Sequence, residues 1–289
     1  AEATLSCKFD GEPLIVGTSG RYEFRNKGID IFLDALKQLA ETDALDREVL
    51  VYITVPSATT GPRKDLQAHL ADENSPIDPK QNRFCTHYLE HPEWDQILNS
   101  IAGSVLANPS SKVKVVFVPT YLNGRDGIFD KSYYELLVGM DMTLFPSYYE
   151  PWGYTPLEST AFSVPTLTTT LAGFGLWAGS QGEHEGVTLV ARNDDNYAEA
   201  AREIAKALLH FTKYTPQEVE IARNAAAELS RTALWSELYA AYEKAYSEAI
   251  ERSVTRTNRA VLNDGGGATE QINFVRQQLI TEKPHWNRV

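Results

Sequence analysis

The sequence from Leu144 to Glu158 reads LFPSYYEPWGYTPLE. The apolar run from Met142 to Phe145 predicts a short buried strand that stops at Pro146. An aromatic loop follows, and we expect a helix to begin with Thr155 as its cap and Pro156 in its first position, because both residue types are favoured there. Ligands of open α/β sheets bind at the carboxyl ends of strands, so this strand, loop and helix predict a ligand site.

Two glutamates in this stretch are candidates for that site. Carboxylates are mostly exposed at protein surfaces, so an arbitrary pair of glutamates indicates nothing. Glu150, however, follows Tyr149 and precedes Pro151 in an aromatic loop, which is typical of a pocket wall. Glu158 falls in the first turns of the predicted helix, where the dipole favours a carboxylate that could accept sugar hydroxyls. Gly153, between them, lets the backbone approach a ligand closely.

Two cations flank a constrained loop after an earlier predicted strand. Leu14 to Gly17 is apolar, and residues 18–28 then read TSGRYEFRNKG. Arg21 offers a planar fork of donors and Lys27 a point charge, and both arrangements suit phosphate oxygens. Arg21 and Lys27 are therefore either two solvated surface charges or the groups that hold a diphosphate, and the constrained loop at a strand end favours the second interpretation.

The long run from Phe145 to Gly175 contains SYYEPWGYTPLE and PTLTTTLAGFG. It resembles the C-terminal half of eukaryotic-type glycogen synthases, and the resemblance extends over about residues 13–253. Those enzymes are retaining glucosyltransferases that transfer glucose from UDP-glucose to an α-1,4-glucan. The resemblance therefore implies UDP-glucose as donor, glycogen or another α-glucan as acceptor, and no metal or other cofactor.

The resemblance also implies roles for single residues. Glu150 would lie beside the transferred glucose, either as nucleophile or as electrostatic stabiliser, and the sequence leaves both open. Glu158 would bond the ribose. A carboxylate near the anomeric carbon is needed because transfer with retention passes through an oxocarbenium-like state.

The same resemblance assigns the nucleotide contacts. Arg21 and Lys27 would contact the donor phosphates, and Tyr133 would stack on uracil, although the neighbouring Tyr134 could take that role. The start of the predicted helix would seat phosphate oxygens on its backbone, because helix N-termini attract anions. Its donor-binding residues are Gly153, Tyr154 and Thr155.

Members of this family have two facing Rossmann-like lobes, with the donor on the C-terminal one. The resemblance places this chain in that donor-binding lobe. We therefore expect the N-terminal lobe of the same protein as a partner, and we expect no catalysis by this chain alone, because a closed cleft excludes water and completes the site.

Composition limits the other possibilities. The chain has 289 residues, a formal net charge of −12 and a pI near 5.0, which argues against a nucleic-acid surface. Its two cysteines, Cys7 and Cys85, build no disulfide framework, so we expect a cytoplasmic protein. No apolar run approaches the roughly 18 residues of a membrane helix.

His87 and His91 have a helical ligand spacing, but no third ligand is evident, and we predict no metal site.

Strands alternating with helices predict an α/β fold: a single Rossmann-like parallel sheet with helices on both faces, as in the C-terminal lobe of a glycosyltransferase B-type fold, with a helical C-terminal segment. Its expected elements include strands at 166–169 and 187–190, helices at 94–106 and 197–211, a Gly-rich turn at 173–175, and helix and loop in the polar segment 57–90. We expect residues 1–12 to be a lead-in, residues 13–253 the nucleotide-sugar-binding lobe, and residues 254–289 a linker-like tail. In that tail, residues 264–267 would form a flexible break and residues 269–280 a helix.

Two other functions remain open from the sequence. One is a related retaining glycosyltransferase that uses another nucleotide sugar, such as ADP-glucose. The other is a non-catalytic glucan- or partner-binding module.

Regulated members of the resembled family carry an arginine cluster that senses glucose 6-phosphate, but here the matching helix keeps Arg223 alone, followed by Glu228. We therefore expect no activation by glucose 6-phosphate.

Overall fold

The computed structural model describes residues 1–263, and the predicted features of residues 264–289 lie outside them. The strands are β1 (Leu14–Ser19), β2 (Val49–Thr54), β3 (Thr59–Pro62), β4 (His87–Leu89), β5 (Val113–Phe117), β6 (Met142–Phe145), β7 (Thr166–Thr169) and β8 (Val187–Val190). The α-helices are α1 (Glu2–Leu5), α2 (Ile29–Ala40), α3 (Lys64–Ala71), α4 (Gln96–Ala102), α5 (Tyr133–Leu137), α6 (Tyr154–Ala161), α7 (Gly173–Ser180), α8 (Tyr197–Phe211), α9 (Pro216–Arg231) and α10 (Trp235–Asn263).

Six of the strands form one parallel sheet in the order β5-β2-β1-β6-β7-β8. Counted along the chain, this is the 3-2-1-4-5-6 order of doubly wound sheets, which reverses direction between the first and fourth of these strands. At that point Val16 pairs with Met142 and Gly17 with Thr143. The predicted α/β fold with a parallel sheet is confirmed, and its topological switch point lies between β1 and β6.

The sheet is covered on both faces. Val49, Val51 and Ile53 of β2 belong to the main core with α2, α4 and α8, whereas the intervening Leu50 packs in a second cluster with Leu5 of α1. Tyr52, on the same face as Leu50, packs against a third cluster that includes α5. Strands buried on both faces must be apolar at successive positions, which explains their continuous hydrophobic runs.

Several element predictions were wrong in detail. The helix expected from Trp94 to Leu106 is broken into α4 and two flanking 3-10 turns, because Asp95 caps α4 and Gly103 ends it. The polar segment 57–90 contains β3 and β4, which form a small antiparallel sheet. The expected lead-in, residues 1–12, contains α1, in which Leu5 is buried.

Residue contacts divide the chain into two compact units, residues 1–231 and the chain from residue 232 onward. The first unit holds the sheet and helices α1 to α9. Within the described residues, the second unit holds the 29-residue helix α10, which confirms the predicted helical C-terminal segment. No helix in residues 1–263 is both long enough and apolar enough to cross a membrane.

Candidate functional site

A cavity of about 450 Å³ opens beside the switch point, and it is lined by the loops after β1, β2 and β5 and by helices α5 and α6. Four of the predicted donor-binding residues line it: Arg21 after β1, Tyr133 on α5, and Thr155 and Glu158 on α6. Residues from three loops and two helices therefore meet where ligands of doubly wound sheets bind. A larger cavity of about 890 Å³ lies between α1 and α3, but none of the predicted site residues lines it.

Lys27 and Glu150 form an ion pair and a hydrogen bond across the switch point. Lys27 belongs to the loop after β1 and Glu150 to the loop after β6, 123 positions apart in the sequence. Their side chains are 15% and 21% exposed, so water screens the pair less than it screens an ordinary surface pair. The residue predicted to hold phosphate and the residue predicted to face the sugar thus neutralise each other here.

Close backbone contact holds these two loops together. Gly28 has φ 68°, and a Cβ at this position would lie 1.9 Å from the carbonyl oxygen of Pro146. The Tyr148 N–H also donates to the carbonyl of Asn26 at 2.8 Å. A side chain at residue 28 would push the loops apart, and so the glycine permits the contact between Lys27 and Glu150.

The start of α7 holds the Glu150 loop from its other side. The Glu150 N–H donates to the carbonyl of Leu171 at 3.3 Å, and the Gly173 N–H donates back to the Glu150 carbonyl at 3.0 Å. A Cβ on Gly173 would lie 2.1 Å from the Pro151 carbonyl oxygen. Residues 173–175, which we expected to form a turn, instead begin α7, because the helix packs its glycine against the loop.

The helix that follows the loop begins two residues earlier than its sequence indicates. Gly153 is the N-cap of α6 with φ 111°, and Tyr154 is its first residue. The prediction of Thr155 as cap and Pro156 as first helical residue was therefore wrong. Pro156 is tolerated in the third position because the first four helical N–H groups have no intrahelical partner. The side chain of Tyr154 is 67% exposed, and Thr155 lines the cavity.

The two predicted phosphate contacts differ in their surroundings. The Arg21 side chain is 76% exposed and pairs with Glu23 at 2.9 Å. Lys27 is mostly buried and pairs with Glu150 instead. The structure thus brings Arg21 to the cavity wall and Lys27 to the neighbouring loop contact.

Tyr133 and Tyr134 lie in different environments in the structure. Tyr133 lines the cavity, and its hydroxyl shares a hydrogen bond of 2.8 Å with the Ser19 hydroxyl. Burial raises the pKa of Tyr133 to about 12. Tyr134 stacks on Phe162 with ring centroids 5.0 Å apart and donates to Glu158 Oε1 at 3.1 Å. Of the two rings that the sequence left open for base stacking, Tyr133 is the one that forms part of the wall.

Sequence reasoning missed two residues at the site. Tyr121 lines the cavity with 74% of its surface exposed. Arg192 is buried, donates to the Pro146 carbonyl, and lies 5.1 Å from the centre of the Tyr148 ring and 5.9 Å from that of Tyr197. The available signal for Arg192 was its place two residues after a predicted strand, Val187–Val190, since the carboxyl ends of parallel strands share one edge.

The histidines do not form a cluster. His87 is buried, with its ring nitrogens hydrogen-bonded to the Thr86 hydroxyl at 2.8 Å and the Asp126 carbonyl at 3.0 Å. His91 stacks on Trp94 at 5.3 Å. Among residues 1–263, no group of three or more His, Cys, Asp or Glu side chains could hold a metal ion.

A parallel sheet with a cavity at its switch point, walled by a cation, an aromatic ring and a carboxylate, is typical of a nucleotide-binding α/β domain. The family model described as "Glycogen synthase" matches residues 67–286, which include Tyr133, Glu150 and Glu158 but not Arg21 or Lys27. The chain belongs to the glycogen synthase family.

Named relatives agree with the family match. The chain is 28% identical over 305 residues to the glycogen [starch] synthase of Neurospora crassa, covering 85% of this chain and 43% of that protein. It is also 28% identical over 327 residues to the human liver enzyme, covering 94% of this chain and 46% of that protein. The chain therefore spans less than half the length of these relatives.

Two solved structures show weaker likenesses. The apo structure of OtsA matches with a TM-score of 0.49 at 11% identity, covering 76% of this chain and 40% of that chain. Anabaena Alr3699/HepE, solved in complex with UDP-glucose, matches with a TM-score of 0.44 at 16% identity, covering 76% of this chain and 44% of that chain. Scores this low bear on neither the ligand nor the roles of single residues.

Proposed function

We propose that this chain is the donor-binding part of a retaining glucosyltransferase of the glycogen synthase type, which transfers glucose from UDP-glucose to an α-1,4-glucan. The observation that carries the proposal is the cavity at the switch point, where Arg21, Tyr133, Thr155 and Glu158 line one space beside the contact between Lys27 and Glu150. The remaining catalytic and acceptor contacts belong to the N-terminal lobe of the same protein, and the chain alone binds donor without transferring it.

Each part of the donor meets a matching group in this proposal. The uracil stacks on Tyr133, and the ribose hydroxyls donate to Glu158. Arg21 and Lys27 neutralise the diphosphate together with the backbone at the start of α6. No metal or further cofactor is required for charge balance.

Glu150 then faces the glucose. Positive charge develops on the anomeric carbon as the bond to the diphosphate breaks, and an ionised carboxylate beside it lowers the barrier. The same carboxylate could attack as a nucleophile or stabilise the cation while the acceptor hydroxyl enters on the same face. Either role requires Lys27 to release Glu150 and turn to the departing phosphate.

The first test is calorimetric titration of the 289-residue chain with UDP, ADP and UDP-glucose, beside an Arg21→Ala variant. We expect UDP to bind more tightly than ADP and the variant to lose affinity for it. Arg25→Ala is the matched control, because Arg25 is an exposed cation of the same loop that does not line the cavity. A preference for ADP would favour the related transferase with another nucleotide sugar.

The non-catalytic module is the second alternative. It predicts binding of a glucan without any nucleotide dependence on Arg21 or Lys27. A maltodextrin titration that shows affinity, together with no binding of any nucleotide, would favour it over the proposed function.

A further inference from the structure

The carboxylate of Glu158, which is proposed to bind the ribose, accepts a hydrogen bond from a neighbouring side chain. Tyr134 on α5 donates its hydroxyl to Glu158 Oε1 on α6 at 3.1 Å. Glu158 lines the cavity, whereas Tyr134 contacts it from outside the cavity wall. This hydrogen bond uses one acceptor site of the carboxylate and leaves the others free to accept a hydroxyl from a ligand in the cavity.

The Tyr134 ring is itself held in place. It stacks on Phe162 with an angle of 13° between the ring planes and a centroid distance of 5.0 Å. It also makes an edge contact with Tyr133 at 5.4 Å. Phe162 caps the end of α6, four residues after Glu158, so the stack and the hydrogen bond join the same two elements. The hydroxyl is therefore presented to Glu158 in a defined direction.

The donor character of Tyr134 persists across the working pH range. Partial burial and the hydrogen bond to Glu158 raise its pKa above the ordinary tyrosine value. The hydroxyl consequently stays protonated near neutral pH and donates its hydrogen to Glu158 Oε1.

The geometry points to Tyr134 as a positioning residue that fixes the Glu158 carboxylate for reading a ribose hydroxyl of the nucleotide donor. The inference rests on the proposed function, because it takes the ligand to be a ribonucleotide. A glutamate side chain without this bond loses rotamer freedom only when the ligand binds, and that loss weakens binding. With Tyr134 in place, part of the ordering has occurred before the ligand arrives.

The test compares UDP with 2′-deoxy-UDP and 3′-deoxy-UDP by calorimetry on the 289-residue chain. Wild type should lose about tenfold in affinity for the deoxy nucleotide that lacks the hydroxyl read by Glu158, as expected for one hydrogen bond to a charged group. Tyr134→Phe keeps the ring and its stack on Phe162 but removes the donor. It should weaken UDP binding about three- to tenfold and leave the affinity for that deoxy nucleotide unchanged.

Two further variants separate positioning from a general structural effect. Tyr239→Phe, a tyrosine of α10 that is 49% exposed against 42% for Tyr134, should change no affinity. Tyr134→Phe added to Glu158→Ala should weaken UDP no further, because the acceptor that the hydroxyl positions is already absent.

Three outcomes would overturn the inference. Tyr134→Phe could bind UDP as wild type does, or it could weaken all three nucleotides by the same factor, which a purely structural role predicts. In both cases the proposed function would stand, since wild type still binds UDP. If wild type bound none of the nucleotides, the proposed function would fail and the inference would fail with it.

Discussion

Lys27 pairs with Glu150 across the switch point of the sheet, and each side chain is mostly buried in that contact. Two loops that follow neighbouring strands, β1 and β6, bring together a cation and an anion with separate proposed tasks. In the proposed function, a diphosphate that enters the site would compete with Glu150 for Lys27. The ion pair would then set a cost on donor binding that a single substitution can remove.

Glu150→Gln should tighten UDP binding while abolishing glucose transfer in the full-length protein. Glutamine keeps the shape of the side chain but no longer neutralises Lys27 or repels the phosphates, and we expect about fivefold tighter binding. Calorimetry with UDP measures this effect. Glu23→Gln is the control, because it removes the partner of the exposed Arg21 and should change affinity less. Equal or weaker UDP binding by Glu150→Gln would contradict the competition.

Lys27→Ala should weaken UDP binding more than Arg21→Ala does. Lys27 is 15% exposed and Arg21 76% exposed, so the lysine interacts with phosphate across less water. We expect a loss of at least about tenfold for Lys27→Ala, in line with a hydrogen bond between charged groups. Titrations at low and high salt check the cause, since the contribution of Arg21 should fall more steeply as salt rises. The opposite ranking of the two variants would place the diphosphate nearer Arg21.

Gly28→Ala should destabilise the protein by more than Gly11→Ala does. Both glycines have positive φ, 68° and 98°, so alanine strains the backbone at either position by about 1–3 kcal/mol. Only Gly28 also faces the Pro146 carbonyl, whereas nothing lies within 4 Å of a Cβ on Gly11. Urea unfolding should show an additional loss of about 1–3 kcal/mol for Gly28→Ala, as for overpacked sites. Equal losses of unfolding free energy in the two variants would mean that the loops containing Gly28 and Pro146 can move apart without destabilising the protein.

Much of the fold could be predicted because burial leaves a simple pattern. The strands Met142–Phe145, Thr166–Thr169 and Val187–Val190 and the helix Tyr197–Phe211 were expected with the bounds that the structure has. The strands are short runs of apolar and β-branched residues and the helix is amphipathic, and residues that favour turns flank each of them. The small sheet was not predicted, because β3 includes Gly61 and Pro62, which are poor strand residues.

The site was predicted only in its parts. The sequence indicated Lys27 and Glu150 separately, since each follows a strand, but their pairing depends on the order of strands in the sheet. Tyr121 and Arg192 belong to no recognisable motif, and their positions after β5 and β8 were too weak a signal to single them out. The roles proposed for all these residues stay predictions until nucleotide binding is measured.

Replacing Arg192 should destabilise the first unit. The buried guanidinium donates to the Pro146 carbonyl and lies over the rings of Tyr148 and Tyr197, and burial lowers its pKa. Arg192→Leu leaves that carbonyl without its donor, so we expect a loss of about 2–3 kcal/mol in the free energy of unfolding. The matched control is Arg202→Leu, because Arg202 is an exposed residue of α8. A change as small as that of the control would contradict the role of Arg192 in holding the loop.

The hydroxyl of Tyr133 should make stability depend on pH in the alkaline range. Its pKa rises from 10.0 to about 12 on folding because of burial, so the folded protein favours the protonated form. The stabilisation from this group is complete below pH 10 and is lost as pH rises through about 12. Tyr133→Phe removes the titrating group and should show a smaller fall in unfolding free energy between these limits. Tyr121→Phe, at a tyrosine that is 74% exposed, is the matched control for the loss of one phenol hydroxyl. Urea unfolding at successive pH values measures this dependence. If the unfolding free energy of Tyr133→Phe fell with pH as steeply as that of wild type, the Tyr133 hydroxyl would have to lie in water and not in the cavity wall.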